Sequence, residues 1–433
     1  MRFVLAFSGS RGDVQPAVAL GARLVERGHE AVLAVPPNLT AFAQGVGLPT
    51  ADYGTSTKEL LDSPVVERDL KSRNPRTRLR AVSEITVHGG RQMQAELMEL
   101  TEGADAVIAG SAGQERALNV SARRGIPYIP LHYCPVRRNG SASLLTHIGV
   151  DAPAPIARAS WRLVEQLLWR AGRRGEDTLR ADLGLPPSQG PAGDEIAASA
   201  TPEVQAYDPA LFPGLDREWG PRRPLVGFLG LSTDDRVRLG ESGVDADTDT
   251  WLSAGPPPVC VGFGSMSVPN PQGLRRAVLD VTEELGLRVL VTSGWSGFLS
   301  DVSDDRVRVV GAIDHDAVLP RCVAAVHHGG AGSVGASLRA GLPTVVSWVG
   351  ADQPMWGNAV RRLGVGTSLP MAATDHRRLR SALTTALDPR TRDAATELAH
   401  RLITPARAAE RAADLIESAV ERSRQHPIGR RSS

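Results

Sequence analysis

The residues best suited to chemistry in this 433-residue chain are grouped at His327-His328-Gly329-Gly330-Ala331-Gly332-Ser333-Val334-Gly335. An apolar stretch, 324–327, ends in the two histidines, and a glycine-rich turn then opens a helical pattern through Ala336, Leu338 and Arg339. Glycines let backbone N–H groups come close to an anion, and a helix N-terminus adds a favourable dipole. Ser333 is placed to donate a hydroxyl, and His328 a ring N–H, to the same anion. A plain glycine turn with one packed histidine shares part of this pattern. Two histidines and a serine at one turn favour a phosphate site. Further along, Asp352-Gln353 stands between Gly350-Ala351 and Pro354, after the apolar run 344–347. Such a pair can hold vicinal hydroxyls, since Asp accepts while Gln both donates and accepts. It is also an ordinary turn signal before proline. Together the two loops suit a nucleotide-sugar, with pyrophosphate at one and sugar at the other.

Other positions add to this. Gly262-Phe263-Gly264-Ser265-Met266 is a second strand-to-helix turn, where Ser265 and neighbouring amides can hold the other phosphate. A capping serine accounts for that turn equally well. Trp295 follows a strand and either stacks on a nucleotide base or fills a core. In the N-terminal half, Asp13 closes the loop Gly9-Ser10-Arg11-Gly12-Asp13 behind the apolar run 3–7. Ligands of open α/β sheets bind outside the carboxyl ends of strands. A carboxylate there can take a proton from a hydroxyl nucleophile, although an Asp at this place also serves as a helix N-cap. His132, near the end of 128–133, is a secondary cleft candidate, with a satisfied core histidine as the competing reading.

The elements that must carry these residues follow a simple rhythm. Residues 3–7 read as a buried strand; a helical pattern with Pro16 in its first turn runs to Gly28, and 31–35 is the next strand. That is a β-α-β unit, the building block of a parallel sheet. Strands at 106–109 and 128–133 enclose a helix at 115–124. The polar segment 56–100 and the Pro-, Arg- and Ala-rich segment 135–215 break this alternation as excursions, with one amphipathic stretch at 161–171. A second alternation gives strands at 259–263, 288–292, 307–310, 324–327 and 344–347 and a helix at 271–285. The reading is therefore an α/β protein with two doubly wound parallel sheets facing a central cleft. Its units are an N-terminal domain, 1–225, a linker, 226–255, and a C-terminal domain, 256–405. A last helix, 406–424, and a flexible tail, 425–433, complete it.

Composition excludes several functions. Lys+Arg numbers 49 against Asp+Glu 48, a net charge of +1, so no basic excess exists to drive nucleic-acid binding. Cys134, Cys260 and Cys322 are widely separated with no C-x-x-C, which argues against a disulfide framework or a cysteine zinc site. The N-terminal apolar run is too short for a signal peptide, and no run approaches a membrane span, so a cytoplasmic protein is expected. Asp245-Ala246-Asp247-Thr248-Asp249 lacks the Gly and Glu of a calcium loop. No G-x-G-x-x-G follows the first strand, no P-loop includes Lys58 or Lys71, and no G-x-S-x-G occurs.

These motifs resemble the GT-B glycosyltransferases of family 1, the branch with sterol glucosyltransferases and actinobacterial enzymes that glycosylate glycopeptide antibiotics and glycopeptidolipids. The matching pieces are Gly9-Ser10-Arg11-Gly12-Asp13-Val14-Gln15-Pro16, Gly28-His29-Glu30, Ala34-Val35-Pro36-Pro37, Leu131-His132-Tyr133 with Pro135, Gln205-Ala206-Tyr207, Gly262–Met266, His327–Ser333 and Asp352-Gln353. The resemblance implies two Rossmann-like domains, acceptor in the first and donor in the second, with the last helix crossing back. It implies Asp13 as general base, Ser10 beside the reacting centre, and a diphosphate held by Ser10, Ser265, His328, Gly329, Gly330, Ala331, Gly332 and Ser333. Asp352 and Gln353 would bind the donor sugar. It further implies inversion at the anomeric carbon with no metal and no cofactor. One stretch departs: Trp348-Val349-Gly350-Ala351 stands where Pro-aromatic-aromatic-Gly often precedes Asp-Gln in sterol enzymes. The resemblance thus extends to neither a sterol acceptor nor glucose as donor sugar.

The function expected is transfer of a sugar from a UDP- or dTDP-sugar to a hydroxyl of a lipophilic natural product, glycopeptidolipid or sterol-like acceptor. The partners are those two substrates, with at most peripheral membrane contact, in a monomer or homodimer. A nucleotide-sugar epimerase and a non-catalytic nucleotide-sugar binder share the architecture. Donor turnover without an acceptor alcohol would mark the first, and an intact Asp13 argues against the second.

Overall fold

The computed structural model describes residues 1–56, 59, 75–148, 150, 152–264, 268, 270–292, 304–311 and 313–425. Ser265, Trp295 and the tail 426–433 lie outside the described residues. Two six-stranded sheets, parallel throughout, organise the rest. The first contains β1 (Arg2–Ala6), β2 (Glu30–Val35), β3 (Thr50–Asp52), β4 (Ala106–Ala109), β5 (Tyr128–His132) and β6 (Val204–Gln205), in the order 3-2-1-4-5-6. The second contains β7 (Val259–Gly262), β8 (Val289–Thr292), β9 (Val307–Val310), β10 (Ala324–His327), β11 (Thr344–Trp348) and β12 (Gly366–Pro370), in the order 12-11-10-7-8-9. Read from its own first strand, the second sheet repeats the order of the first. Each chain path reverses beside its first strand, so β1/β4 and β7/β10 are the switch points where such sheets bind ligands.

The central strands are near-continuous apolar runs because both faces are covered. Phe3 and Leu5 are fully buried on one face of β1, Val4 and Ala6 on the other. Three strands have no such run: β3, β6 and β12. All three are sheet edges, short or polar, and their sequences carry little strand signal. Cys260 and Cys322 meet as free thiols in the core beneath the second sheet.

Helix α1 (Arg11–Glu26) begins five residues before Pro16, so the proline lies inside it rather than in its first turn. Ser10 and Asp13 start the helix earlier than the proline suggests, and Pro16 forfeits only the hydrogen bond to the Gly12 carbonyl. The amphipathic stretch at 161–171 is the middle of a 29-residue helix, α2 (Ala154–Asp182). The sequence 226–231 is no free tether. Val226, Leu229 and Leu231 are buried in the first core, while Phe228 packs towards the second unit. In the acidic run, Asp245 caps the helix Ala246–Ser253 by accepting from the Thr248 amide. Among the described residues, no helix is long and apolar enough to cross a membrane.

The C-terminal units are α3 (Ala331–Arg339), α4 (Gln353–Arg362) and α5 (Pro405–Gln425). The chain returns to the first unit at Ile403, whose amide donates to the buried Asp208 carboxylate at 2.7 Å. Ala408, Ala412, Ile416 and Val420 then complete the core against α1. On the outer side, Arg27 donates to Glu410, Asp414 and Glu417, and His29 Nε2 lies 2.8 Å from Glu417. Apolar burial rather than this ion-pair fan should dominate the docking. Ile416→Ala is expected to lower the unfolding free energy by about 2–5 kcal/mol. Asp414→Ala, at an exposed partner, should change it by less than about 1 kcal/mol. Urea titration of both variants checks the contrast, and equal losses would contradict it.

Candidate active site

The first sheet contributes one carboxylate. Between β1 and α1 the chain turns through Gly9 at φ +121°, and Asp13 Oδ2 lies 2.3 Å from where a Cβ on Gly9 would sit. Only glycine lets the carboxylate fold back this closely. Asp13 Oδ2 accepts from the Ser10 amide at 2.6 Å and from the Ser10 hydroxyl at 2.9 Å. Tyr133, just beyond β5, hydrogen-bonds to the same carboxylate. Burial raises the Asp13 pKa above the ordinary value, and the Tyr133 and Ser10 bonds offset only part of that rise. A buried, oriented carboxylate with a raised pKa is what a general base requires. Ser10 gives its hydroxyl proton to Asp13, so it acts on the carboxylate and not as a donor to a diphosphate.

The second sheet contributes the glycine turn at its switch point. His327, fully buried, accepts from the Gly329 amide at Nδ1 (3.0 Å), which assigns its proton to Nε2. Nε2 then donates to Ser337 Oγ at 3.1 Å, and Ser337 passes its own proton to the Ser333 carbonyl at 2.9 Å. Burial, with the neighbouring histidines, lowers the His327 pKa to about 3, so the tautomer is fixed at physiological pH. This histidine therefore ties β10, the turn and α3 into one rigid piece. His328 sits one residue on, wedged between the two glycine turns. A Cβ on Gly264 would lie 3.2 Å from its ring, and one on Gly330 only 2.6 Å away. Burial lowers its pKa to about 4, against the raising effect of the Gly262 carbonyl. It is thus neutral, with a single N–H to give, for which the Gly262 carbonyl competes. Beside it, Gly330 caps α3, leaving the first-turn amides of Ala331, Gly332 and Ser333 without intrahelical partners.

The third loop joins β11 to α4. Gln353 is buried, and its Oε1 accepts from the Val349 amide at 2.8 Å and the Gly350 amide at 3.3 Å. Only its NH₂ is left for a ligand, so the double role suggested by residue type reduces to donation. Ala351 adopts φ 54°, the left-handed region, to complete the turn. Asp352 Oδ2 accepts from Trp356 Nε1 at 2.7 Å. That fixes the carboxylate at the start of α4, facing the first unit. Tyr133 records the meeting of the two halves. Burial, then Asp13, then Asp352 push its phenol well above the ordinary pKa.

His132 belongs elsewhere. Adjacent residues of a strand face opposite sides, and while Tyr133 reaches Asp13, His132 is buried beside Glu203, 3.4 Å away. Arg137 and Arg223 both pair with that glutamate. Burial and then Arg137 lower the His132 pKa to about 4, with Glu203 opposing them. It is a core histidine in an ion cluster, not a cleft candidate. Tyr133 and Trp356 are the site residues that motif reading passes over, while His327, counted there among the histidines of the turn, holds the turn rather than facing an anion. Strand alternation from His132 was the available signal for Tyr133. His327 and Trp356 act through a backbone amide and a carboxylate, contacts with no motif of their own.

Residues 3–88 match the glycosyltransferase family 28 N-terminal domain, and residues 276–418 the erythromycin biosynthesis protein CIII-like C-terminal domain. The chain is 38% identical over 427 residues to an uncharacterised glycosyltransferase of Mycobacterium tuberculosis, covering 98% of this chain and 100% of the relative. It is 30% identical over 418 residues to the sterol 3-beta-glucosyltransferase UGT80A2 of Arabidopsis thaliana, covering 92% of this chain and 62% of that protein. Among solved structures, the glycosyltransferase of kitacinnamycin aligns with a TM-score of 0.71 at 21% identity, over 97% of this chain and 99% of that one. The glycosyltransferase VinC, solved in complex with dTDP, aligns with a TM-score of 0.64 at 17% identity, over 98% and 100%. Matched from end to end by a glycosyltransferase relative, and folded as two facing sheets of the same order, this chain belongs to the GT-B glycosyltransferases of family 1.

Proposed function

We propose that this transferase moves a sugar from a UDP- or dTDP-sugar to a hydroxyl of a lipophilic acceptor, inverting the anomeric carbon and using no metal. The observation that carries the reading is Asp13, buried, raised in pKa and oriented by Ser10 and Tyr133. Across the cleft from it stand Asp352 and the turn Gly329–Ser333. The acceptor oxygen forms a bond to the anomeric carbon as its proton passes to the Asp13 carboxylate. The bond from that carbon to the diphosphate breaks, and its electron pair leaves with the phosphate oxygen. Attack from the Asp13 side, opposite the leaving group, inverts the centre. His328 and the amides of Ala331, Gly332 and Ser333 take up the charge that develops on the diphosphate. Asp352 accepts from sugar hydroxyls while the Gln353 NH₂ donates. A dTDP donor is favoured by the likeness to a glycosyltransferase seen with dTDP. The Trp348–Ala351 departure favours an acceptor other than a sterol.

Three outcomes test this. Asp13→Asn should cut turnover about 10²–10⁴-fold while leaving donor titration and the melting curve unchanged, because Asn keeps the size and still accepts from Ser10. Turnover within severalfold of the wild type would remove Asp13 as the base, and turnover should persist in excess EDTA. Secondly, His328→Ala should weaken UDP or dTDP binding roughly tenfold to a hundredfold, the worth of a hydrogen bond to a charged group at about 1.5–3 kcal/mol. Unchanged calorimetric affinity would place the donor elsewhere. Thirdly, the Tyr133 bond lowers the Asp13 pKa, so Tyr133→Phe should raise it. The base works deprotonated, and the acid limb of the kcat/KM profile should therefore move to higher pH. A profile that stays in place while the rate falls would reduce Tyr133 to packing.

A further inference from the structure

Helix α2 is built with two faces. Its inner side buries Ala157, Trp161, Gly175 and Leu179, and Trp161 Nε1 donates to the Ala142 carbonyl at 2.7 Å. Its outer side exposes Ile156 (52%), Leu163 (61%) and Leu167 (54%), and Leu168 (67%) is exposed on the stripe of Trp161 and Gly175, seven residues from each. Among the described residues, every exposed leucine and isoleucine of the protein lies on this one helix. Large apolar side chains collected on one exposed helix face mark an interaction surface. Charge says which kind. Between residues 154 and 175 the helix carries five arginines and a single acid, Glu165, in a chain whose net charge is only +1. Glu165 pairs with Arg138, Arg158 with Glu218, and Arg173 with Asp177. Among the described residues, no carboxylate pairs with Arg162, Arg170 or Arg174. Arg170 and Arg174 continue the row of Leu163 and Leu167 at helical spacing, and Arg162 flanks it.

We propose that the outer face of α2 docks on a bilayer surface containing anionic phospholipid. Ile156, Leu163 and Leu167 enter the acyl boundary, and the three unpaired arginines lie at the phosphates, the arrangement of a helix resting in the interface plane. A second copy of the chain fits worse. A two-fold contact through this face would bring its arginines against one another without a compensating carboxylate. The helix is tied to the donor-side unit just before its N-terminal end. The segment Leu144–Ile148, which leads into α2, packs on α4, the helix that begins at Gln353. Docking would hold the acceptor side of the cleft at the lipid surface.

The test is co-sedimentation of the full chain with phosphatidylcholine vesicles, with and without phosphatidylglycerol, at low and high salt. Binding should require phosphatidylglycerol and weaken with salt. The triple variant R162Q/R170Q/R174Q should lose about a hundredfold in vesicle affinity, at roughly fivefold per arginine. The variant I156S/L163S/L167S, which removes the apolar side chains of the outer face, should lose about tenfold or more. All six positions are exposed and outside the cleft, so melting curves of both variants should match the wild type. If the apolar-face variant fails to fold, the arginine variant and the lipid and salt dependence of the wild type still decide. The proposal is overturned if the wild type ignores phosphatidylglycerol or if the arginine variant binds as the wild type does. It is equally overturned if light scattering shows a dimer that the apolar-face variant dissolves and that does not bind vesicles.

Discussion

One indole holds the two halves of this enzyme in register. Trp356, fully buried, packs edge-on to Tyr207 and tilted against Phe212 and Phe228, at ring distances of 5.3–5.8 Å, from the first unit and its connection. Its Nε1 donates to Asp352. The same ring therefore anchors α4 to the opposite unit and aims the carboxylate at its head. Aromatic packing of this kind contributes area and preferred geometry together. Gly335 of α3 approaches the Phe228 ring so closely that a Cβ would lie 2.8 Å from it. Helix α3, the connecting segment at Phe228 and the first unit are thus joined through one apolar cluster. A displacement of Trp356 would move Asp352 relative to Asp13, and the spacing of those carboxylates is what the cleft must preserve.

Around that anchor, the two sheets solve the same problem with different chemistry. Each places its functional turn at the reversal beside its first strand. The first must hold one anionic group in a buried place, and it does so with donors: the Ser10 amide, the Ser10 hydroxyl and Tyr133. The second must leave donors unsatisfied for an incoming anion, so its polar side chains face away from the cleft. His327 accepts from Gly329, Ser337 serves the Ser333 carbonyl, and Thr344 donates to Ser337. The network satisfies His327, Ser337 and the Ser333 carbonyl from within, and the first-turn amides of α3 keep no intrahelical partner. Preorganised donors of this sort need no rearrangement as charge develops.

Much of this was legible in the sequence because it depends on local rules. Buried central strands read as apolar runs, and the glycine turns read as anion loops because a strand precedes each and a helix pattern follows at least one. The edge strands β3 and β6 were not legible because they are three and two residues long, and β12 because Leu369 is its one large apolar side chain, whereas the edge strand β9 was legible from its valines. Pro16 misled for a related reason: it marks a helix start on average, but the Ser10–Asp13 pair set the start here. In the sequence, His132 is a secondary cleft candidate, with a core histidine as the competing reading, and Tyr133 has no role. Type alone favours the histidine, whereas the strand's alternation puts the tyrosine at the carboxylate. Gln353 was read by its full hydrogen-bonding capacity, and the backbone of its own turn had already claimed the oxygen. Contacts between residues distant in sequence, such as Asp208 with Ile403, left no local trace at all.

Asp13 shows why cap and base are not rival readings. As the third residue of α1 it accepts the N-terminal amide of its own helix, a placement that stabilises negative charge through the dipole and the hydrogen bonds. Taken alone, those effects would lower its pKa and make it a poor base. Burial acts in the opposite direction and prevails. A carboxyl whose folded pKa lies above its unfolded value binds its proton more tightly when folded, so stability is lost as pH rises through that interval. The ionised form, the one able to take a proton, is thus the form the fold tolerates least. The bonds from Ser10 and Tyr133 limit that penalty and fix the direction of the carboxylate, leaving a charge that is oriented without being neutralised. A cap exposed to water would be more stable and less basic. Burying the cap against the facing domain converts an ordinary helix start into a group able to take a proton.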